Sequence, residues 1–77
     1  MIDAGAIIRA LHDGEINGGL TWFYDGEWFA WIGDRLNGIA AEATFNSIDA
    51  AAEWLRAKAI ELYPDSEFAK AWRRGFE

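Results

Sequence analysis

The chain has 77 residues, 13 acidic against 7 basic and none of them cysteine, for a formal net charge of −6. That length suits one domain over residues 1–77 whose core alone supplies roughly 3–5 kcal/mol, which keeps oligomerisation in view. The missing cysteines exclude disulfides, zinc ribbons and thiol catalysis and suit a reducing compartment, and the negative field opposes phosphate backbones unless a local basic stripe forms.

Met1-Ile2-Asp3 lacks the basic flank and apolar stretch of a signal peptide. No run approaches the roughly 20 apolar residues that span a bilayer, so the expectation is a soluble, cytoplasmic protein without membrane contact. The acids concentrate toward the front, with nine acids and two bases in residues 1–55 against four and five in residues 56–77. Lys70, Arg73 and Arg74, with Arg56 and Lys58, are the one candidate basic stripe, and a solvated helix face with cations suited to the helix dipole is its plainer use.

Asp3 is a candidate N-cap, and Ala4, Ile7, Ile8 and Leu11 follow at the spacing of one buried helical stripe. The helix runs to about Asp13 and stops at Gly14, and Glu15-Ile16-Asn17-Gly18-Gly19 reads as a loop because paired glycines supply left-handed turns. Strands are predicted at Leu20 to Tyr24, at Glu27 to Ile32 and at Ile39 to Phe45, with Asp25-Gly26 and the region 33–38 as turns. Asn46 or Ser47 caps a second helix whose stripe is Ile48, Ala51, Ala52, Leu55, Ala59 and Leu62. Pro64 ends it. Asp65 or Ser66 starts a short third helix that turns Phe68, Ala69, Trp72 and Phe76 inward. The predicted fold is α+β in the order α-β-β-β-α-α, a three-stranded antiparallel meander with helices on one face.

The run Trp22-Phe23-Tyr24-Asp25-Gly26-Glu27-Trp28-Phe29-Ala30-Trp31 places six aromatics in one hairpin. Asp-Gly between β-formers suits a two-residue type I′ turn. That turn pairs Tyr24 with Glu27, Phe23 with Trp28, Trp22 with Phe29 and Leu20 with Trp31, and paired residues share a face. Leu20, Trp22, Tyr24, Glu27, Phe29 and Trp31 then make one face, and Thr21, Phe23, Trp28, Ala30 and Ile32 the other. The third strand alternates Ile39, Ala41, Ala43 and Phe45 with Ala40, Glu42 and Thr44, and either second turn puts Ala41 and Ala43 beside Ala30 and Ile32. Helices are therefore expected over the Ala30 face, leaving Trp22, Tyr24, Phe29 and Trp31 open, edged by Glu27 and Glu42. Two events would change this: the third helix folding across that face, or an odd-length bulge flipping the register.

Candidate chemistry is sparse. His12 has Asp13 beside it in sequence, but neighbours on a helix do not face each other, and Ser47 and Ser66 sit at helix starts where capping explains them. Asp13-Gly14-Glu15-Ile16-Asn17-Gly18 matches the first half of a calcium loop, yet position 12 falls on Tyr24 and a strand follows instead of a helix. Asp13, Glu15, Asn17, Asp34 and Asn37 would gather at one end of the sheet for weak cation binding, although Asx turns and caps are the simpler use. Glu27 and Glu42 as paired carboxylates would lack a deep, water-excluding cleft. No phosphate-cradling glycine loop is present. The expectation is no enzyme, no cofactor and no metal.

The helix-strand-strand-strand-helix order resembles the double-stranded-RNA-binding fold in topology, but the second-helix start, Asn46-Ser47-Ile48-Asp49-Ala50, lacks the lysine cluster with which that family grips RNA. Leu11-His12-Asp13-Gly14-Glu15-Ile16-Asn17-Gly18, Trp22-Phe23-Tyr24-Asp25-Gly26 and Gly33-Asp34-Arg35-Leu36-Asn37-Gly38 resemble small uncharacterised proteins of alphaproteobacteria and their prophages. Small acidic proteins of mobile elements include anti-CRISPR proteins that block basic grooves. The function expected is a small acidic interaction protein that binds a protein partner or itself, as a homodimer, with Trp22, Phe29 and Trp31 as anchors and Tyr24, Glu27 and Glu42 as rim. The alternative is base stacking on the same aromatics with the C-terminal cations on phosphate, which the charge of −6 opposes.

Overall fold

The computed structural model describes residues 3–34 and 38–74. In chain order they form helix α1 (Ala4–Asp13), strands β1 (Asn17–Trp22), β2 (Trp28–Asp34) and β3 (Gly38–Phe45), and helices α2 (Ile48–Leu62) and α3 (Glu67–Arg74). The three strands make one antiparallel sheet in the order β1-β2-β3, and the fold is α+β as predicted. The second turn at 35–37 and Phe76 lie outside the described residues.

The helices lie on one side of the sheet. Helix α2 packs over β2 and β3, α1 packs against α2 with lighter contact to β1, and α3 packs on α2. The molecule measures 36 × 33 × 18 Å, and its thin axis has room for one sheet and one helix layer. Helix α3 joins that layer: a Cβ on Gly14 would sit 3.5 Å from Phe68 Cβ, so Phe68 closes the core at the C-terminal end of α1. Trp72 stacks on Phe68 at a ring separation of 5.4 Å.

The core is built from few large side chains and many alanines. Ile7, Ile32 and Leu55 are its largest fully buried groups, surrounded by Ala4, Ala30, Ala51, Ala52 and Ala59. Small residues on both α2 and β2 let helix and sheet approach closely, so dispersion contacts compensate for the modest side-chain volume. The helical stripes hold at their centres and fail at their edges: Ile8, Ile48 and Leu62 are partly exposed.

Capping chemistry sets the helix ends. Ser47 rather than Asn46 caps α2, its Oγ accepting from the Ala50 N–H at 3.1 Å. Ser66 rather than Asp65 starts α3, accepting from the Ala69 N–H at 3.1 Å and donating to the Tyr63 carbonyl at 2.7 Å. Asp3 occupies the N-cap position of α1 without a side-chain hydrogen bond.

Helix α1 ends differently from the expectation that glycine supplies its left-handed residue. Gly14 has φ −86°, and Glu15 takes the left-handed conformation at φ 61°. The Ile16 N–H donates to the Leu11 carbonyl at 3.0 Å and the Glu15 N–H to that of His12 at 3.1 Å, the two bonds of a Schellman motif. Glu15→Gly is therefore expected to stabilise the protein. Relief of the left-handed penalty, about 1–2 kcal/mol, outweighs the extra freedom gained by the unfolded chain, about 0.4–1 kcal/mol. Thermal unfolding should move up by a few degrees, and an unchanged or lower midpoint would contradict the left-handed assignment.

Candidate functional site

The first hairpin determines which aromatics are on offer. The Gly26 N–H donates to the Phe23 carbonyl at 3.0 Å, the Phe23 N–H donates to the Glu27 carbonyl at 2.9 Å, and Gly26 has φ 99°. These bonds define a three-residue loop, Tyr24-Asp25-Gly26, in which a turn is followed by a glycine bulge. Asp25 contributes through its side chain, its Oδ1 accepting from the Glu27 N–H at 3.3 Å. The expected two-residue turn requires positive φ at Asp25, whereas Glu15 is the one non-glycine residue with positive φ among those described.

One extra turn residue shifts the pairing by one. Trp22 lies opposite Trp28, Thr21 opposite Phe29, Leu20 opposite Ala30 and Gly19 opposite Trp31. Strand β1 is therefore turned over relative to the predicted face. Leu20 and Trp22 project to the helix side with Trp28, Ala30 and Ile32, while Gly19 and Thr21 share the open face with Phe29 and Trp31. Tyr24 leaves the strand for the loop and is fully exposed, and Phe23, expected beneath the helices, is half exposed opposite Glu27.

The β2–β3 half follows expectation. Ala30 pairs with Ala43 and Ile32 with Ala41 under α2, and Trp31 pairs with Glu42 and Phe29 with Thr44 on the open face. A bulge between Ile32 and Gly33 then shifts the ladder so that Gly33 faces Ile39, whose side chain is exposed. The open face is less apolar than predicted because Phe29 and Trp31 are only partly exposed. Trp31 rests its indole on Gly19, where an added Cβ would sit 2.6 Å from Trp31 Cε2. Flat packing of an aromatic ring on a strand glycine covers backbone that would otherwise be bare.

The exposed aromatics gather instead at the hairpin tip. Trp22 is 68% exposed, with its ring 6.2 Å from that of Trp28. Ile8, Leu20, Trp22, Trp28 and Ile48 line an open apolar groove where α1 and the start of α2 leave the sheet uncovered. It continues through Ile8 and Leu20 into a cavity of about 190 Å³ between α1 and β1, lined also by Leu11, Ile16, Gly18 and Leu55. A sequence signal for this arrangement exists: Ile16, Leu20 and Trp22 alternate with Asn17, Gly19 and Thr21, the pattern of a strand that begins before the glycines.

The remaining candidates are dispersed. His12 Nδ1 lies 3.6 Å from Asp13 Oδ1 with both side chains in solvent. Glu27 and Glu42 are four residues apart along β2 once Glu42 is placed opposite Trp31, about 13 Å plus one strand spacing. Both side chains are exposed, and neither lines the groove or the cavity described above. Asn17 pairs with Gly33 in the sheet, and Asn37 lies outside the described residues. No group of three His, Cys, Asp or Glu side chains among the described residues is placed to hold a metal ion. Arg56 is 2.8 Å from Glu53, Lys58 3.0 Å from Glu61 and Lys70 3.9 Å from Glu67, so these cations each have an acid one helical turn away. Among the described residues no helix is long and apolar enough to cross a membrane.

These features define a small antiparallel meander with its helices on one face and an aromatic cluster at the first hairpin. Compared with protein-family models, curated proteins and solved structures, the chain matches none.

Proposed function

We propose that this protein is a non-enzymatic interaction module that binds another protein, or a second copy of itself, through Trp22 and the apolar groove beside it, with Tyr24 at the hairpin tip. The observation that carries the reading is Trp22, a large aromatic left 68% exposed at the end of a groove formed by Ile8, Leu20, Trp28 and Ile48. Contiguous exposed apolar surface rimmed by polar groups usually serves association, and tryptophan and tyrosine dominate the energy of such contacts. Asp25 and Glu27 supply an acidic rim. With a net charge of −6 the surface suits a basic partner, such as the groove of a nucleic-acid-handling protein.

Nucleic-acid binding is the weaker reading, because Arg56, Lys58 and Lys70 each already face an acid. In the decisive experiment, sedimentation across concentration and affinity capture from the native cell extract are run in parallel for the protein and for Trp22→Ala. The expected result is an assembly lost in Trp22→Ala, a weakening of about 2 kcal/mol or more, with the helical circular-dichroism signal and melting temperature nearly unchanged. Unaltered assembly in Trp22→Ala, or binding of oligonucleotides alone at low salt, would overturn the proposal.

A further inference from the structure

Strand β1 is the outer strand of the sheet and pairs with β2 alone among the described residues. The Phe23 N–H points across to β2 and donates to the Glu27 carbonyl, so Phe23 occupies a hydrogen-bonded position of the ladder. Antiparallel alternation then makes Thr21/Phe29 and Gly19/Trp31 hydrogen-bonded pairs as well, which turns the N–H and C=O groups of Gly18, Leu20 and Trp22 outward. Natural edge strands discourage further pairing with charges or proline. Asn17–Trp22, with the sequence Asn-Gly-Gly-Leu-Thr-Trp, contains neither.

Beside this edge runs the apolar trough. Leu20 and Trp22 project toward the helix layer and line it with Ile8. A strand added along β1 would set every second side chain over Ile8 and Leu20 and the alternate ones beside Thr21, so its sequence would alternate apolar and polar residues.

Charge selects the occupant. Asp13 and Glu15 are exposed just before β1, Asp25 and Glu27 just after it, and Arg9 is the one lysine or arginine between residues 3 and 33. A second copy is disfavoured in either orientation. Antiparallel pairing of two β1 strands brings Asp13 and Glu15 against Asp25 and Glu27, and parallel pairing brings each acidic pair against itself. An extended segment with basic residues at both ends meets opposite charge at both.

We propose that the outer edge of β1 accepts, by strand addition, an extended segment of a partner protein in which lysines or arginines flank an alternating apolar run. This rests on the reading of the aromatic surface as protein-binding and specifies how the partner is held. Backbone hydrogen bonds to Gly18, Leu20 and Trp22 supply register, Ile8 and Leu20 select apolar side chains, and the two acidic pairs select the flanks.

The test titrates the protein with the end-capped peptide Lys-Lys-Val-Thr-Ile-Thr-Val-Lys-Lys, followed by tryptophan emission and calorimetry. Comparison peptides replace every lysine with glutamate, or carry N-methyl groups at the Val and Ile positions or at the Thr positions. The expected result is binding of the lysine peptide that weakens with salt. Affinity should fall at least about tenfold for the glutamate peptide, for one of the two N-methylated peptides, and for the protein variant carrying Glu15→Lys with Glu27→Lys. No binding of the lysine peptide at about 1 mM, or self-association through β1 in its place, would overturn the proposal. Equal binding of the parent and both N-methylated peptides would also overturn strand addition. If Trp22→Ala then removed that binding, the aromatic surface would stand as the binding site without it.

Discussion

Gly33→Ala is expected to lose at least about 2–3 kcal/mol of stability, a large share of what a domain of this size holds. Gly33 is buried at the bulge where β3 carries an extra residue, and an added Cβ would lie 2.9 Å from Ile39 Cα and 3.0 Å from Ala40 N. It would also collide with the Gly38 carbonyl oxygen. These are backbone atoms of the neighbouring strand, so relief requires moving β3 away from β2 rather than rotating a side chain. A domain of this size holds only about 4–12 kcal/mol in total. Gly26→Ala is the control: it has no neighbour within 4 Å at the Cβ position but holds φ 99°, so its cost is confined to the left-handed backbone, about 1–2 kcal/mol. Urea unfolding followed by circular dichroism should rank Gly33→Ala well below Gly26→Ala, and the reverse ranking would show the bulge to be misplaced.

Leu55→Ala should cost about 3–5 kcal/mol, the upper part of the range for a buried leucine. Leu55 is 2% exposed at the centre of α2 and lines the cavity between α1 and β1. Truncation would enlarge that cavity, and the alanines around it are too short to collapse into the space. Trp22→Ala removes a larger side chain yet should cost under about 1 kcal/mol, because most of Trp22 is already in water. The denaturation midpoint should fall steeply for Leu55→Ala with an unchanged slope and barely move for Trp22→Ala. Equal losses in the two variants would place Trp22 in the core and remove it as a binding residue.

The element order was legible because each signal was local. Helical periodicity in Ala4, Ile7 and Leu11 and in Ala51, Ala52, Leu55 and Ala59, together with the caps Ser47 and Ser66, marks helices without reference to the rest of the chain. The β2–β3 faces were legible for a related reason. The alternation of Ala41, Ala43 and Phe45 against Glu42 and Thr44 fixes which side is buried, and the expected turns agreed on the partner.

The first hairpin was different, because Asp25-Gly26 satisfies two turn lengths. A two-residue turn and a three-residue turn both place glycine where positive φ is required, and they differ by one residue of register. With a side-chain period of two, that single residue exchanges the faces of an entire strand. Trp22 accordingly moved from the open face to the helix side, and Tyr24 into the loop. Gly18 and Gly19 were misread for a linked reason. Their absent side chains serve close approach to Trp31 across the sheet, a contact that exists only after β1 and β2 have paired, while the left-handed residue ending α1 is Glu15.

The sequence by itself therefore determined the elements, their order, the β2–β3 faces and an excess of aromatics at the first hairpin. Tertiary structure decided which of those aromatics reach solvent. Burial of Leu20 against the helix layer, accommodation of Trp31 over Gly19 and the hydrogen bond from Phe23 to Glu27 are satisfied together in only one register, and no stretch of sequence read alone contains that condition.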